Sequence, residues 1–268
     1  MTAVSATYFL APDLAALQHD HPVPGRGFLP ILSYLLLGRQ PILVDTGAAA
    51  VRDEYLAALE SVIDPKEIAW IVLTHPDADH MGALQELLAR APNARLVVNW
   101  IATGKLSGTF APPLARLQWA NPGDTLVAAD RVLHFLRPPM YDCPSTLTFY
   151  ESRSRALFAS DAFGAFVPAV ARDFAELPAG ETLEGMSTFC RGNSPWLADT
   201  RPEAFARALK AYADLEPLRL LSSHLPPVAE KDVPRVIARA AAFPEEGRVP
   251  MPGQQALEAA LAAMGRAA

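Results

Sequence analysis

Cysteine is nearly absent: Cys143 and Cys190 are the two in 268 residues, and no CxxC pair occurs. That excludes a disulfide framework and a thiolate-bound zinc ribbon, and a reducing, cytoplasmic setting is the default. Long hydrophobic runs are missing as well. None reaches the roughly eighteen apolar residues of a membrane-spanning helix. Met1 to Leu10 has neither the basic region nor the long apolar core of a signal peptide. An excess of positive charge is lacking too, since 23 Lys and Arg against 29 Asp and Glu leave a net charge of −6. Arg131, Arg137 and the stretch Arg153-Ser154-Arg155 are scattered. Phosphate binding needs clustered cations, so a nucleic-acid surface is not expected.

What is present suffices for a layered core. The chain is 51% hydrophobic and 19% charged, and its 268 residues are expected to form one domain, 1–268, ending in a C-terminal helix. Apolar runs predict paired strands at 31–37 and 41–44 across the turn Gly38-Arg39-Gln40. Val51, Tyr55, Leu59 and Val62 share one face of a predicted helix over 51–62. A buried strand at 69–73, a short helix at 82–91 and a strand at 95–100 follow. The second half predicts strands near 114–119, 125–127, 131–136, 146–151, 156–160 and 218–222, with helices at 202–215 and 233–243. Residues 178–196, with Gly180, Gly185, Gly192 and Pro195, read as a long loop or short helices able to wall a pocket. An amphipathic helix at 256–264 would dock on the domain or on a second copy, which leaves a homodimer open. The α/β order predicts two strand-rich layers with helices on both outer faces.

Chemistry concentrates in Leu73-Thr74-His75-Pro76-Asp77-Ala78-Asp79-His80-Met81-Gly82. Two imidazoles and two carboxylates follow a strand directly, and these are the donors that first-row transition metals use. Three further strings recur downstream, each after or at the end of an apolar run. They are Met140-Tyr141-Asp142-Cys143-Pro144, Leu157-Phe158-Ala159-Ser160-Asp161-Ala162-Phe163-Gly164 and Leu221-Ser222-Ser223-His224-Leu225-Pro226.

The string His-x-Asp-x-Asp-His, preceded by Ile42-Leu43-Val44-Asp45-Thr46-Gly47 and followed by strand-ending Asp161 and His224, resembles the metallo-β-lactamase superfamily. Within it the chain looks most like the oxygen-binding di-iron domain of flavodiiron proteins, over roughly residues 30 to 230. A carboxylate at Asp77, where most of the superfamily carries His, supports that subgroup. The resemblance implies an αββα four-layer sandwich. It further implies that His75 and Asp77 bind a first metal, Asp79 and His80 a second, that Asp161 bridges both, and that His224 completes the second site. One position departs from the pattern. Where the family has His before Trp-Pro, this chain has Asp142 before Cys143-Pro144, and a carboxylate there binds directly or through a water.

Three imidazoles and four carboxylates (Asp77, Asp79, Asp142 and Asp161) balance two divalent cations. Oxygen-rich ligation favours iron, with manganese or zinc open. Three functions are compatible with these ligands. Two ferrous ions would bind or reduce O2 or NO with electrons from a separate redox partner, because the chain has no flavin phosphate loop and no rubredoxin CxxC pair. Alternatively, two zinc ions would generate a bridging hydroxide that attacks a small-molecule ester, lactone, thioester or phosphodiester. The third is a non-catalytic O2 or NO sensor. Asp79 would orient the reacting water or ligand.

Several residues keep two readings. Asp45 is either a strand-ending turn residue or a support for a metal-binding imidazole. His19 and His21 sit in a solvent-exposed Pro- and Gly-rich loop, or one of them lines the pocket mouth or replaces the imidazole missing at Asp142. His134 alternates with apolar neighbours and reads as a strand residue. Cys143 is a small buried filler or tunes the site.

Overall fold

The runs Ile42-Leu43-Val44, Trp70-Ile71-Val72 and Leu96-Val97-Val98 lack polar alternation, the pattern of strands covered on both faces. The computed structural model, which describes residues 6–267, shows what covers them. A seven-stranded sheet runs in chain order through β1 (Ala6–Ala11), β2 (Leu14–Val23), β3 (Gly27–Leu36), β4 (Ile42–Val44), β5 (Trp70–Val72), β6 (Arg95–Val98) and β7 (Leu117–Trp119). The second sheet holds β8 (Thr125–Ala128), β9 (Arg131–Leu136), β10 (Thr148–Glu151), β11 (Ala156–Ser160), β12 (Arg219–Ser222) and β13 (Val228–Ala229), ordered β13-β12-β11-β10-β9-β8.

Alternate residues of each strand enter different cores. Ile42, Val44, Trp70, Val72 and Val97 meet Phe135, Phe149, Phe158 and Leu221 between the two sheets. On the outer face of the first sheet, Leu43, Ile71 and Leu96 pack with Leu56 and Leu59 of α1 (Arg52–Glu60) and Leu84 and Leu87 of α2 (Leu84–Arg90). Outside the second sheet, Leu157, Ala159 and Leu220 lie against three further helices. These contribute Met186 from α4 (Ala179–Asn193), Phe205 and Leu209 from α5 (Pro202–Ala213), and Val236 from α6 (Val233–Ala240). Helix, sheet, sheet and helix give the four-layer metallo-β-lactamase sandwich.

Several local expectations need correction. The strand expected over 95–100 stops at Val98, because Asn99 Oδ1 accepts the Ala102 N–H at 2.8 Å and caps α3 (Trp100–Leu106). Residues 114–116 form a single tight helical turn, leaving only Leu117–Trp119 as strand. His19, Asp20 and His21 are not in a loop; they lie in β2, opposite Ile31, Pro30 and Leu29 of β3. The proline and glycine of that region shape only the turn at 24–26.

The stretch read as a loop or short helices is the fifteen-residue α4. Its glycines, each worth about 1 kcal/mol against helix, misrepresent the local preference. A Cβ on Gly185 would stand 1.9 Å from the Phe166 carbonyl oxygen, so glycine there lets the helix lie on the loop after β11. In the terminal helix α7 (Gln254–Ala267), the described apolar side chains are not docked on the chain: Leu257 and Leu261 are 52% and 57% exposed. The absence of a leader pattern at Met1 to Leu10 falls partly on residues 1–5, outside the described residues. No described helix is long and apolar enough to cross a membrane.

Candidate metal centre

Strands β4, β5 and β6 run parallel, as do β11 and β12, so their carboxyl ends gather at one end of the sandwich. Ligand crevices of α/β sheets form at such ends. Asp45 follows β4, Thr74 and His75 follow β5, Asp161 follows β11, and His224 follows β12. After His75 the chain turns sharply, with the N–H groups of His80 and Met81 both donating to the Asp77 carbonyl at 3.0 Å. That turn brings Asp77, Asp79 and His80 back to His75. It is braced against 46–49 through Gly82, whose N–H donates to Gly47 O at 2.9 Å. A Cβ at Gly82 would fall 2.2 Å from the Ala49 nitrogen, so no side chain fits. The second sheet is tied to the first at the same end, where Leu32 N–H donates to Ser223 O at 2.9 Å and Tyr34 OH to Ser222 O at 2.7 Å.

All seven candidate residues converge, in two groups sharing Asp161. In one, His75 Nε2 lies 3.8 Å from Asp77 Oδ2, 3.8 Å from Asp142 Oδ1 and 3.9 Å from Asp161 Oδ2. In the other, Asp161 Oδ1 is 3.0 Å from His80 Nε2 and 3.4 Å from His224 Nε2. Asp79 Oδ2 completes it at 3.8 and 3.4 Å from the same two nitrogens. Metal–ligand bonds of about 2.0–2.2 Å put two donors of one ion roughly 3–4 Å apart, so the donor set fits two cations.

Hydrogen bonding supports the same orientation. His80 Nδ1–H donates to Asp45 Oδ2 at 2.9 Å, and His224 Nδ1–H to the Pro30 carbonyl at 2.8 Å. The Thr74 and Ser160 hydroxyls flank His75 Nδ1 at 3.2 and 3.3 Å. With Nδ1 occupied, each Nε2 turns a lone pair inward. His75 Nε2, His80 Nε2 and Asp161 Oδ1 are buried and have no hydrogen-bond partner in the chain. The 3.0 Å approach of His80 Nε2 to Asp161 Oδ1 lies off the line of a hydrogen bond. Asp45 and Ser160 hold left-handed backbone, φ 57° and 52°, beside these donors. Such conformations cost about 1–3 kcal/mol each and concentrate at functional sites.

Protons and imidazoles are strongly coupled here. Burial disfavours the His80 imidazolium, but the Asp161 and Asp45 carboxylates reverse this and hold it well above its ordinary 6.5. Burial likewise opposes a charged His224, and Asp161 and Asp79 raise it. Burial would lift Asp161, yet His224, His75 and His80 keep it well below the usual carboxylate range. Burial pushes Asp142 up, as do Asp161 and Asp77, against an opposing pull from His75.

These directions fix a pH dependence. In the chelated protein, the stability contributed by His80 and His224 is complete below 6.5 and is lost as pH rises through their raised folded values. The contribution of Asp161 is present above 3.8 and is lost as pH falls through its depressed folded value. Cation binding needs neutral imidazoles and releases protons, so its stabilisation grows with pH. Thermal unfolding between pH 5 and 9 should show chelated and metal-loaded protein nearly coincident in acid and widely separated in alkali. Parallel curves would contradict this coupling.

Other candidates do not join the cluster. His19 lies beside Tyr55 and Ala48, with Nδ1 buried and unpaired, in a separate small cavity. His134 is exposed on β9 opposite Thr125. Cys143 is buried, but its sulfur has polar neighbours, accepting from Lys105 Nζ at 2.9 Å and lying 2.7 Å from Ser145 Oγ.

Sequence reasoning missed Asn193, whereas the aromatics of 178–196, Phe189 and Trp196 among them, were expected to wall the pocket or to pack into the core. Asn193 Nδ2 donates to Asp161 Oδ2 at 3.2 Å, and the Phe189 ring lies 5.2 Å from that of His224. The Tyr141 ring lies tilted at 45° to that of Trp196, 4.9 Å between centroids, and Trp196 Nε1–H donates to the Tyr141 carbonyl at 2.8 Å. The one available signal was the aromatic content of a segment lying between Asp161 and His224.

A sandwich of this layering, with histidines and aspartates converging at the carboxyl ends of its strands, defines a metallo-β-lactamase-fold protein with a candidate dinuclear centre. Residues 31–195 match the model of the ODP family beta lactamases, and the chain belongs to that family. Over 133 residues it is 32% identical to the anaerobic nitric oxide reductase flavorubredoxin of Pectobacterium atrosepticum, covering 49% of this chain and 26% of that protein. The chain spans a third or less of the length of the curated relatives it matches. Rubredoxin oxygen:oxidoreductase from Desulfovibrio gigas superposes with a TM-score of 0.75 at 18% identity, over 90% of this chain and 62% of that one. The flavodiiron protein of Giardia intestinalis superposes with a TM-score of 0.76 at 18% identity, over 91% and 60%. Both likenesses concern the fold.

Proposed function

We propose that the protein holds two metal ions, iron in preference, and binds or reduces O2 or NO with electrons delivered by another protein. The observation that carries this is the trio of buried, unpartnered acceptors, His75 Nε2, His80 Nε2 and Asp161 Oδ1, facing one space ringed by Asp77, Asp79, Asp142 and His224. Leaving a buried polar atom unsatisfied costs about 1–3 kcal/mol, and two cations would satisfy all three. In this reading His75, Asp77 and Asp142 hold one ion, Asp79, His80 and His224 hold the other, and Asp161 bridges. The 32% identity to a nitric oxide reductase favours a diatomic gas over hydrolysable substrates.

When bound, the metal pair supplies open coordination positions and the redox chemistry. The chain supplies orientation and exclusion of water. Phe189 sets an apolar ring against His224, and Tyr141, next to Asp142 in the chain, packs on Trp196. Asp79 is one-third exposed, which supports a role at the open side in orienting an incoming molecule.

Metal analysis and anaerobic gas titration test the proposal together. Protein from iron-replete cells should carry two irons per chain, bleach on reduction, and consume O2 or NO when given an artificial electron donor. Two zincs, with turnover of lactone, thioester or phosphodiester probes, would replace it with the hydrolase. A spectral change on adding gas, without consumption, would keep the centre and remove the reductase.

A further inference from the structure

We propose that the two metal positions differ in ion preference: when both ions are supplied, the Asp79/His80/His224 position takes Zn(II) and the His75/Asp77/Asp142 position takes Mn(II). This rests on the dinuclear reading above and adds an inequality that the reading does not require.

The donor inventories differ by one exchange. Leaving aside the shared Asp161, the first position offers one imidazole and two carboxylates, and the second offers two imidazoles and one carboxylate. Asp142 makes the difference. Carboxylate oxygen suits Mn(II), and imidazole suits zinc and iron. Zn(II) exceeds Mn(II) at any nitrogen- and oxygen-bearing site, but the margin is smallest where nitrogen is scarcest. With one of each ion, the lowest free energy therefore puts zinc on the two imidazoles and manganese on the carboxylates.

Surroundings reinforce the inequality. The His80 and His224 side chains are 1% and 2% exposed, and each is held by its Nδ1 hydrogen bond, to Asp45 and to Pro30. That builds a rigid pair of imidazoles, open to water only past Asp79, whose side chain is 33% exposed. The Asp77 and Asp142 side chains are 43% and 22% exposed. Water can reach that position and fill the coordination shell, which suits a hard ion with a high coordination number.

The test loads the chelated full-length chain with one equivalent each of Zn(II) and Mn(II). Anomalous diffraction at both absorption edges then locates the ions, and electron paramagnetic resonance follows bound manganese in solution. The expected result is manganese beside Asp142 and zinc beside His224. Asp142→His, which equalises the inventories, should mix the two ions between the positions. Asp142→Asn, nearly isosteric and uncharged, should lose manganese and keep zinc. Circular dichroism matching the parent confirms that each variant is folded, and two variants guard against loss of one. A reversed or mixed arrangement in the parent, or zinc at both positions with manganese excluded, overturns the inference and leaves the dinuclear centre standing. A parent that retains neither ion sinks the dinuclear reading itself.

Discussion

Asp161→Ala is expected to empty both metal positions at once, which no other single ligand substitution should do. The two oxygens of Asp161 face different groups: Oδ1 toward His80 and His224 at 3.0 and 3.4 Å, Oδ2 toward His75 at 3.9 Å. Each group loses a donor and part of its negative charge together. Affinity should fall beyond the roughly 10–100-fold that supporting hydrogen bonds command. Equilibrium dialysis should find less metal retained than in either Asp142→Ala or His224→Ala, each of which touches one group only.

The same substitution has a second signature without metal. Asp161 is the leading carboxylate that raises His80 and His224. Its loss should let both imidazoles titrate lower, followed by NMR, and should release Asp142 from a like charge that pushes it up. Breaking a buried ion pair from one side costs about 3–5 kcal/mol, so chelated Asp161→Ala should also unfold at lower temperature at pH 6. If the variant still holds two ions, the carboxylate does not bridge.

The ligand strings were legible because their information is local. His75, Asp77, Asp79 and His80 lie within six positions of one another, and Asp161 and His224 end apolar runs whose burial on both faces marks them as strands. The sandwich was legible for the same reason, since β4 and β5 carry no polar residue that would suggest a solvated face. Contacts distant in sequence were not legible. Gly185 reads as a helix breaker until Phe166 O is found against it, and nothing local marks Asn193 until Asp161 is found 32 residues back. His19 and His21 looked like loop residues because Pro22, Pro24, Gly25 and Gly27 follow. Register with β3, fixed by the pairing of Leu14 with Leu36 at the far end, keeps them in a strand.

Asp45 shows how a residue with two sequence readings is decided by three dimensions. Its Oδ1 accepts the Thr74 N–H at 2.7 Å, and its Oδ2 accepts both the Thr74 hydroxyl at 2.8 Å and His80 Nδ1–H at 2.9 Å. With its hydrogen committed to Asp45, Thr74 Oγ1 is left as the acceptor facing His75 Nδ1 at 3.2 Å. One carboxylate thus orients an imidazole from each group, His80 directly and His75 through Thr74.

Asp45→Ala should therefore weaken both positions together, by about 10–100-fold each, while leaving every proposed ligand in place. It should also destabilise the fold, because three buried donors, the Thr74 N–H, the Thr74 hydroxyl and His80 Nδ1–H, lose their acceptor at about 1–3 kcal/mol each. Alanine tolerates the left-handed φ of 57° less well than aspartate, which adds to the loss. Asp45→Asn separates these causes. Asparagine accepts the same backbone and removes the conformational cost, but its amide must present N–H groups to one of two places that already hold donors. Metal affinity in Asp45→Asn should then fall nearly as far as in Asp45→Ala, with a smaller loss in thermal stability. Zinc or manganese titration alongside thermal unfolding of the two variants gives both quantities. If both variants bind metal like the parent, Asp45 is a strand-ending turn residue, and the two imidazoles take their orientation from elsewhere.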